Sequence, residues 1–383
     1  MNSIQARARP EDFLELVERA KGGRLKVYIG SAAGVGKTYR MLHEAHGLKE
    51  RGIDVVLAFI ETHGRAETAT LIDGLEVVPR RRIEYRGVSV EEMDLDAVLA
   101  RRPQVAIVDE VAHTNAPGSS HRKRYEDIES IRAAGINVIC AFNVQHLESL
   151  NDLIERVTGI RVRETVPDTF LKAADQVVNV DLSVEDLLDR LKSGKIYAAD
   201  KVPRALENFF TSETLRSLRE LALREVAEAV ERAPSLPSGT SKPRHVTGRV
   251  MVCMSSFSPR AAELLRRGSR FAGRLNTDWF VVYVETPSES PDRIDAAAQR
   301  HLLENIEKAK EMGAEVVRVK GRDPVAALLD FARAHNVAHI ILGRSQRPRW
   351  KRVVGDFVHR MVDEGDGFDL YIVSTEKEED RDP

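Results

Sequence analysis

Short apolar runs separated by amphipathic stretches organise the first two hundred residues. Leu25–Ile29 is one such run, followed by a glycine-rich turn and a helical pattern from Thr38 to Arg51 that Gly52 ends. Val55–Ile60, Val105–Val108 and Val138–Phe142 repeat the run. Uninterrupted apolar strands spaced by helices indicate parallel strands covered on both faces, because a half-exposed strand would alternate apolar and polar residues. The predicted fold is a doubly wound parallel α/β sheet. From Val184 to Ala233 the period turns helical, with Leu187, Leu188 and Leu191, then Leu215, Leu218, Leu221, Leu223 and Val226, on a charged background. Pro234–Pro243 holds three Pro, three Ser and a Gly, the composition of a linker. After it the α/β pattern restarts. Strands are predicted at Arg249–Met254, Trp279–Val284, Glu315–Val319, His339–Leu342 and Leu370–Ser374, and helices at Pro259–Leu275, Asp295–Met312 and Pro324–His335.

The predicted division is therefore a helical segment at 1–22, a P-loop α/β domain with a helical extension at 23–233, a linker at 234–247, a smaller α/β domain at 248–375 and a disordered tail at 376–383. Two domains also fit 383 residues, more than one hydrophobic core usually serves. A formal net charge of -2 gives no global field to recruit nucleic acid or an anionic membrane, and Arg80–Arg82 and Arg122–Arg124 read as solvated surface. Only Cys140 and Cys253 are present, each in an apolar run, so neither a disulfide framework nor a metal-ligand spacing exists. Met1–Arg9 lacks an apolar core for a signal peptide, and no stretch of about 18 apolar residues could span a bilayer. A cytoplasmic protein is expected.

The chemistry concentrates in Gly30-Ser31-Ala32-Ala33-Gly34-Val35-Gly36-Lys37-Thr38, which lies between a predicted strand and a predicted helix. Gly34 and Gly36 let the backbone curl so that its N–H groups meet phosphate oxygens, and the helix start adds its dipole. Lys37 is assigned to the β and γ phosphates and the Thr38 hydroxyl to Mg²⁺, with Val35 and Tyr39 completing the contact. The usual first Gly of such loops is replaced by Ser31, Gly30 standing one place earlier. Val105–Val108 ends in Asp109-Glu110, where Asp109 is expected to hold the metal and Glu110 to polarise a water. An acidic pair can also merely solvate a loop. Other polar blocks follow the remaining strands, where ligands bind in such sheets: Glu61-Thr62-His63-Gly64-Arg65, Ala112-His113-Thr114-Asn115 and Asn143-Val144-Gln145-His146. Asn143 or Gln145 is a candidate sensor of the γ-phosphate. Glu61, His63, Arg65 and His113 are candidates to approach it.

These five blocks, in their order along the chain, resemble the N-terminal cytoplasmic domain of the KdpD osmosensitive potassium-channel sensor kinases, over Gly23 to about Val230. The resemblance implies ATP and Mg as ligands and a regulatory role in potassium and osmotic-stress signalling. Residues Arg249–Thr375 resemble a universal stress protein domain. The ATP motif of that family is not matched, since Gln346 and Asp356-Phe357 stand after Gly343 where Gly and Gly-Ser belong. Some such sensors bind cyclic di-AMP through Ser-x-Ser, twenty residues, and an aromatic stretch. Ser256 and Ser258 precede Trp279–Tyr283 at that spacing, which marks Ser256, Ser258, Trp279, Tyr283 and Gly343 as a second candidate site. The alternative is an ordinary loop and an apolar core strand.

Full-length sensors of this family continue into membrane helices and a histidine-kinase core. Neither an apolar span after Thr375 nor a phosphoacceptor box is present, and Asp363–Gly367 reads as a turn, so a stand-alone front half is expected. Its expected partner is a separate sensor kinase, a response regulator, a potassium-transport component or a second copy of itself. ATP hydrolysis is expected to be slow at most, for want of an obvious arginine finger in cis. The rival readings are an active P-loop ATPase or small-molecule kinase, and a stress protein binding cyclic di-AMP or ATP with the first domain as scaffold.

Overall fold

The computed structural model describes residues 22–85, 87–197, 199–207, 209–232, 248–255, 261–275, 277–287, 295–343 and 357–373. The predicted N-terminal helix, the linker, the tail, and the candidates Ser256 and Ser258 with Gln346, Gly355 and Asp356 lie outside the described residues. The chain divides into two compact units, one of residues 1–147, 153–166 and 170–230, the other of residues 148–152, 167–169 and 231–383.

In the first half the elements run β1 (Leu25–Gly30), α1 (Lys37–Glu50), β2 (Val55–Phe59), α2 (Ala66–Ala69), β3 (Glu76–Val77), β4 (Arg81–Tyr85), β5 (Val88–Glu92), α3 (Leu95–Arg101), β6 (Val105–Val108), α4 (Arg124–Ala133) and β7 (Asn137–Asn143). There follow α5 (Asn151–Thr158), α6 (Asp168–Lys172), β8 (Gln176–Val180), α7 (Val184–Lys192), α8 (Val202–Glu207) and α9 (Ser212–Arg232). Six strands pair in parallel in the order β3-β2-β6-β7-β1-β8, while β4 and β5 form a separate hairpin. Every residue of β2 and β6 is buried, which is why these strands read as unbroken apolar runs. The edge strand β8 is only half buried, and β3 to β5 are mostly exposed; none of these shows in the apolar pattern.

One core joins the first sheet to its helical extension. Met41, Leu42 and Ala45 of α1 pack with Leu57, Ile107 and Ile139 of the sheet, and Leu187, Leu191, Ile196 and Leu215 enter the same cluster. Each such leucine contributes about 1.5–3 kcal/mol on burial. Ser183 caps α7, its hydroxyl accepting from the Asp186 N–H at 3.0 Å, and Arg190 stands in the last turn where a cation suits the helix dipole. Leu223, expected on the apolar face of α9, is exposed instead.

The second unit carries β9 (Arg249–Met254), α10 (Ala261–Arg274), β10 (Trp279–Glu285), α11 (Ala296–Glu311), β11 (Glu315–Lys320), α12 (Pro324–Ala334), β12 (Val337–Gly343), α13 (Phe357–Glu364) and β13 (Asp369–Val373). Its five strands are parallel in the order β11-β10-β9-β12-β13. The short α13, anchored by buried Met361, was not foreseen and takes up the first part of the expected turn at Asp363–Gly367. Among the described residues no helix is long and apolar enough to cross a membrane.

Candidate functional site

The loop after β1 is shaped by its glycines. A Cβ on Gly30 would stand 2.6 Å from Val35 Cγ2 and 3.2 Å from Lys37 Cδ, so the return of the loop over its own strand requires glycine there. Gly34 and Gly36 hold φ of 91° and 98°, and Gly36 caps α1 from this left-handed conformation. Val35 is buried beneath and fixes the loop to the core.

Strand order then decides what meets the loop. β7 lies between β1 and β6, and Gly30 pairs with Asn143, so the tip of β7 abuts the loop. Lys37 Nζ donates to Asn143 Oδ1 and, at 3.2 Å, to the Ala32 carbonyl. Burial pushes the Lys37 ammonium down to about 8, against the pull of Asp109 and Glu110. Two strands away, Asp109 Oδ2 accepts from the Thr38 hydroxyl at 2.7 Å. Burial and the neighbouring Glu110 charge raise the Asp109 carboxyl above its ordinary range.

Asp109 and Glu110 are adjacent yet turn to different partners, because Glu110 adopts φ 54° and gives its N–H to Asp109 Oδ1 at 2.9 Å. The Glu110 side chain meets His63 Nε2 at 3.0 Å. That hydrogen bond holds the Glu110 carboxyl low and raises the His63 imidazole. His63 is itself left-handed at φ 52°, so two of the strained non-glycine residues face each other across the cleft.

The cleft between these groups opens to solvent. Of the expected residues, Gly34, Gly36, Lys37, Thr38, Tyr39, Arg65, Asp109, Glu110 and Asn143 line it. Gly30 and Val35 shape the loop from below. Three candidates turn elsewhere. Glu61 accepts from Arg80 at 3.5 Å and from the His63 N–H at 3.3 Å, bracing the turn after β2. His113 points to Glu92, Nε2 to Oε1 3.0 Å, and Glu92 in turn pairs at 3.0 Å with Arg124, both members of that pair being buried. Arg124 stacks on Phe59 at 3.7 Å, so the His113 block props the carboxyl edge rather than opening onto it. Gln145 does not line the cleft, and its Oε1 is buried without a hydrogen bond among the described residues.

The cleft also gathers Arg190, which no motif flags, His146 of the fourth block, to which no role was assigned, and His63. His146 is tied by Nδ1 to the Glu164 carbonyl at 2.8 Å, and burial lowers its pKa. Nothing in the sequence pattern points to Arg190, which sits on a helix far along the chain. In the second unit, Trp279 and Tyr283 are 2% and 4% exposed and pack in the core with Val252 and Leu264. The ring stacking expected of Trp279 is therefore corrected: as part of a central parallel strand it is covered by helices. Gly343 ends β12, with Leu264 3.6 Å from where a Cβ would stand.

The family model described as "Osmosensitive K+ channel His kinase sensor domain" matches residues 21–230, and that of the universal stress protein family matches residues 247–365. The chain is similar to the Sensor protein KdpD of Escherichia coli, 46% identical over 355 residues that cover 92% of this chain and 39% of that protein. It is also similar to the Putative sensor protein KdpD of Synechocystis, 44% identical over 353 residues covering 92% of this chain and 94% of that protein. It thus spans about two fifths of the former and nearly all of the latter. A universal stress protein of Archaeoglobus fulgidus in complex with dAMP is similar at 19% identity, covering 33% of this chain and 98% of that one, with a TM-score of 0.26, too slight a likeness to carry anything across.

Proposed function

Because the chain belongs to the KdpD family of osmosensitive K+ channel histidine-kinase sensor domains, we propose that its first unit binds ATP·Mg and serves as a cytoplasmic regulatory module of two-component signalling in potassium homeostasis and osmotic stress. The observation that carries this reading is the 2.7 Å hydrogen bond between Thr38 and Asp109, which joins the loop after β1 to the acidic end of β6 across β7. The donor set fits the ligand. Thr38 and Asp109 offer the hard oxygens that Mg²⁺ takes, and Lys37 has no carboxylate within ion-pair distance among the described residues. The left-handed Gly34 and Gly36 form the kind of concavity that receives phosphate oxygens.

In this reading the bound metal ion supplies fixed positive charge to the phosphates, held by Thr38 and Asp109. Lys37 binds the β and γ phosphates, and Asn143 orients the Lys37 ammonium. Glu110, kept ionised by His63, can hold a water, which makes slow hydrolysis the expected ceiling. The nucleotide state is offered to a partner, which we place among a separate sensor kinase, a response regulator, a potassium-transport component or a second copy of the chain.

Titration with ATP in the presence and absence of Mg²⁺ tests the reading. Lys37→Ala should lower affinity by about a hundredfold, the loss of a charge-assisted phosphate contact in a buried site. Equal affinities for wild type and variant would remove it. Steady-state release of many phosphates per minute, abolished in Glu110→Gln, would instead identify an ATPase.

A further inference from the structure

Resting on that reading of the cleft, we infer that Arg190 of α7, together with Arg65 of the turn after β2, is a cation pair supplied in cis that recognises the γ-phosphate and so separates nucleoside triphosphate from diphosphate.

The case begins with what these two guanidinium groups lack. Both line the cleft with Lys37, Thr38 and Asp109. The Nε of each is buried without a hydrogen-bond partner among the described residues. Among the described residues Arg65 makes one hydrogen bond, from its terminal nitrogen to the Ile196 carbonyl at 3.5 Å. Among the described residues neither lies within ion-pair distance of a carboxylate. Several other arginines of this unit are paired: Arg80 with Glu61 and Glu91, Arg101 with Asp54 and Glu76, Arg124 with Glu92, and Arg219 with Asp181.

Nor are the acids of the cleft available to them. Asp109 is engaged by Thr38, Glu110 by His63, and Glu67 by Lys195 at 3.1 Å. The buried Nε–H of each fork, left without an acceptor among the described residues, suits an anionic acceptor from outside the chain, and a phosphoryl group matches the fork. Position selects the terminal phosphate. His63, in the same turn as Arg65, meets Glu110 Oε1 at 3.0 Å, which sets that turn at the acidic end of β6, on the side of the cleft where Asp109 stands. Arg190 and Arg65 line the same cleft, so their like charges oppose each other, a repulsion that a dianionic group would relieve.

The second arginine also ties the ligand to the helical extension. In the segment after α7, Ile196 accepts from Arg65 and packs where a Cβ on Gly34 would stand, and Lys195 holds Glu67. A charge seated on Arg190 thus acts on the segment that leads from α7 into α8.

The test is calorimetric titration of the full chain with Mg·ATP and with Mg·ADP, for wild type, Arg190→Ala, Arg190→Lys and Arg65→Ala. Arg190→Ala and Arg65→Ala should each weaken ATP about ten- to a hundredfold and ADP less than about twofold, the usual worth of one charged hydrogen-bonding group. Arg190→Lys should recover part of the ATP affinity, keeping the charge without the fork. Circular dichroism identifies any variant that fails to fold, and Arg190→Lys then carries the comparison. Equal losses for ATP and ADP, or no loss, would overturn the inference. Failure of the wild type to bind either nucleotide would overturn the underlying ATP reading instead.

Discussion

In the first unit most of the residues that converge on the cleft stand at or just past the ends of β1, β2, β6 and β7, whereas in the second unit the aromatic candidates of β10 stand within the strand itself. That difference in position separates a lined cleft from a filled core. The body of a central parallel strand is covered on both faces, so its side chains are consumed by packing, while the carboxyl edge releases the chain into loops free to take unusual backbone angles. Gly34, Gly36, His63 and Glu110, all with positive φ, sit at that edge. Trp279 and Tyr283 share their type with known base-stacking residues but not their place.

The contrast can be broken most forcefully in the second unit. Trp279→Ala should cost that unit about 3–5 kcal/mol, as expected for emptying a fully packed aromatic site. Chemical denaturation followed by circular dichroism should show the loss, and titration should find ATP affinity unchanged. A drop in affinity would dissolve the contrast. In the first unit, Gly34→Ala sets a Cβ against the Ile196 side chain and forces an L-residue left-handed. The left-handed backbone alone costs about 1–2 kcal/mol, so the melting temperature should fall together with nucleotide affinity. Unchanged stability would show that the loop relaxes around the methyl group.

The smallest effect sharpens the edge itself. The imidazole of His63 is raised because Glu110 favours its charged form. The pair therefore contributes fully below the ordinary histidine value of 6.5 and loses its contribution as pH rises through the elevated value in the folded protein. An NMR titration should find the His63 pKa lower in Glu110→Gln than in wild type. Identical titration curves would remove the interaction.

Much of this was legible in the residues. Val55–Phe59 and Val105–Val108 could be read because burial on both faces leaves no polar positions, and the phosphate loop because its chemistry is local and contiguous. The strand at Gln176–Val180 escaped because an edge strand is only half covered and mixes polar with apolar residues. The hairpin of β4 and β5 escaped because its residues are largely exposed. Arg190 escaped for another reason: its helix was visible through Leu187 and Leu191, but only tertiary packing of those leucines against the core under the loop turns the last helical turn into the cleft. His113 was misjudged because Glu92, the acid that claims it, belongs to the unrecognised hairpin.

The strand order has one more consequence, for the assembly of the protein. β1 takes its neighbours from Asn137–Asn143 on one side and Gln176–Val180 on the other, with no partner nearby in the chain. A polypeptide emerging from the ribosome would thus present its nucleotide loop long before anything exists to hold it. Loop-closure entropy over such separations makes this sheet a slow, late-forming structure, and chains released before residue 180 would lack one whole flank of β1.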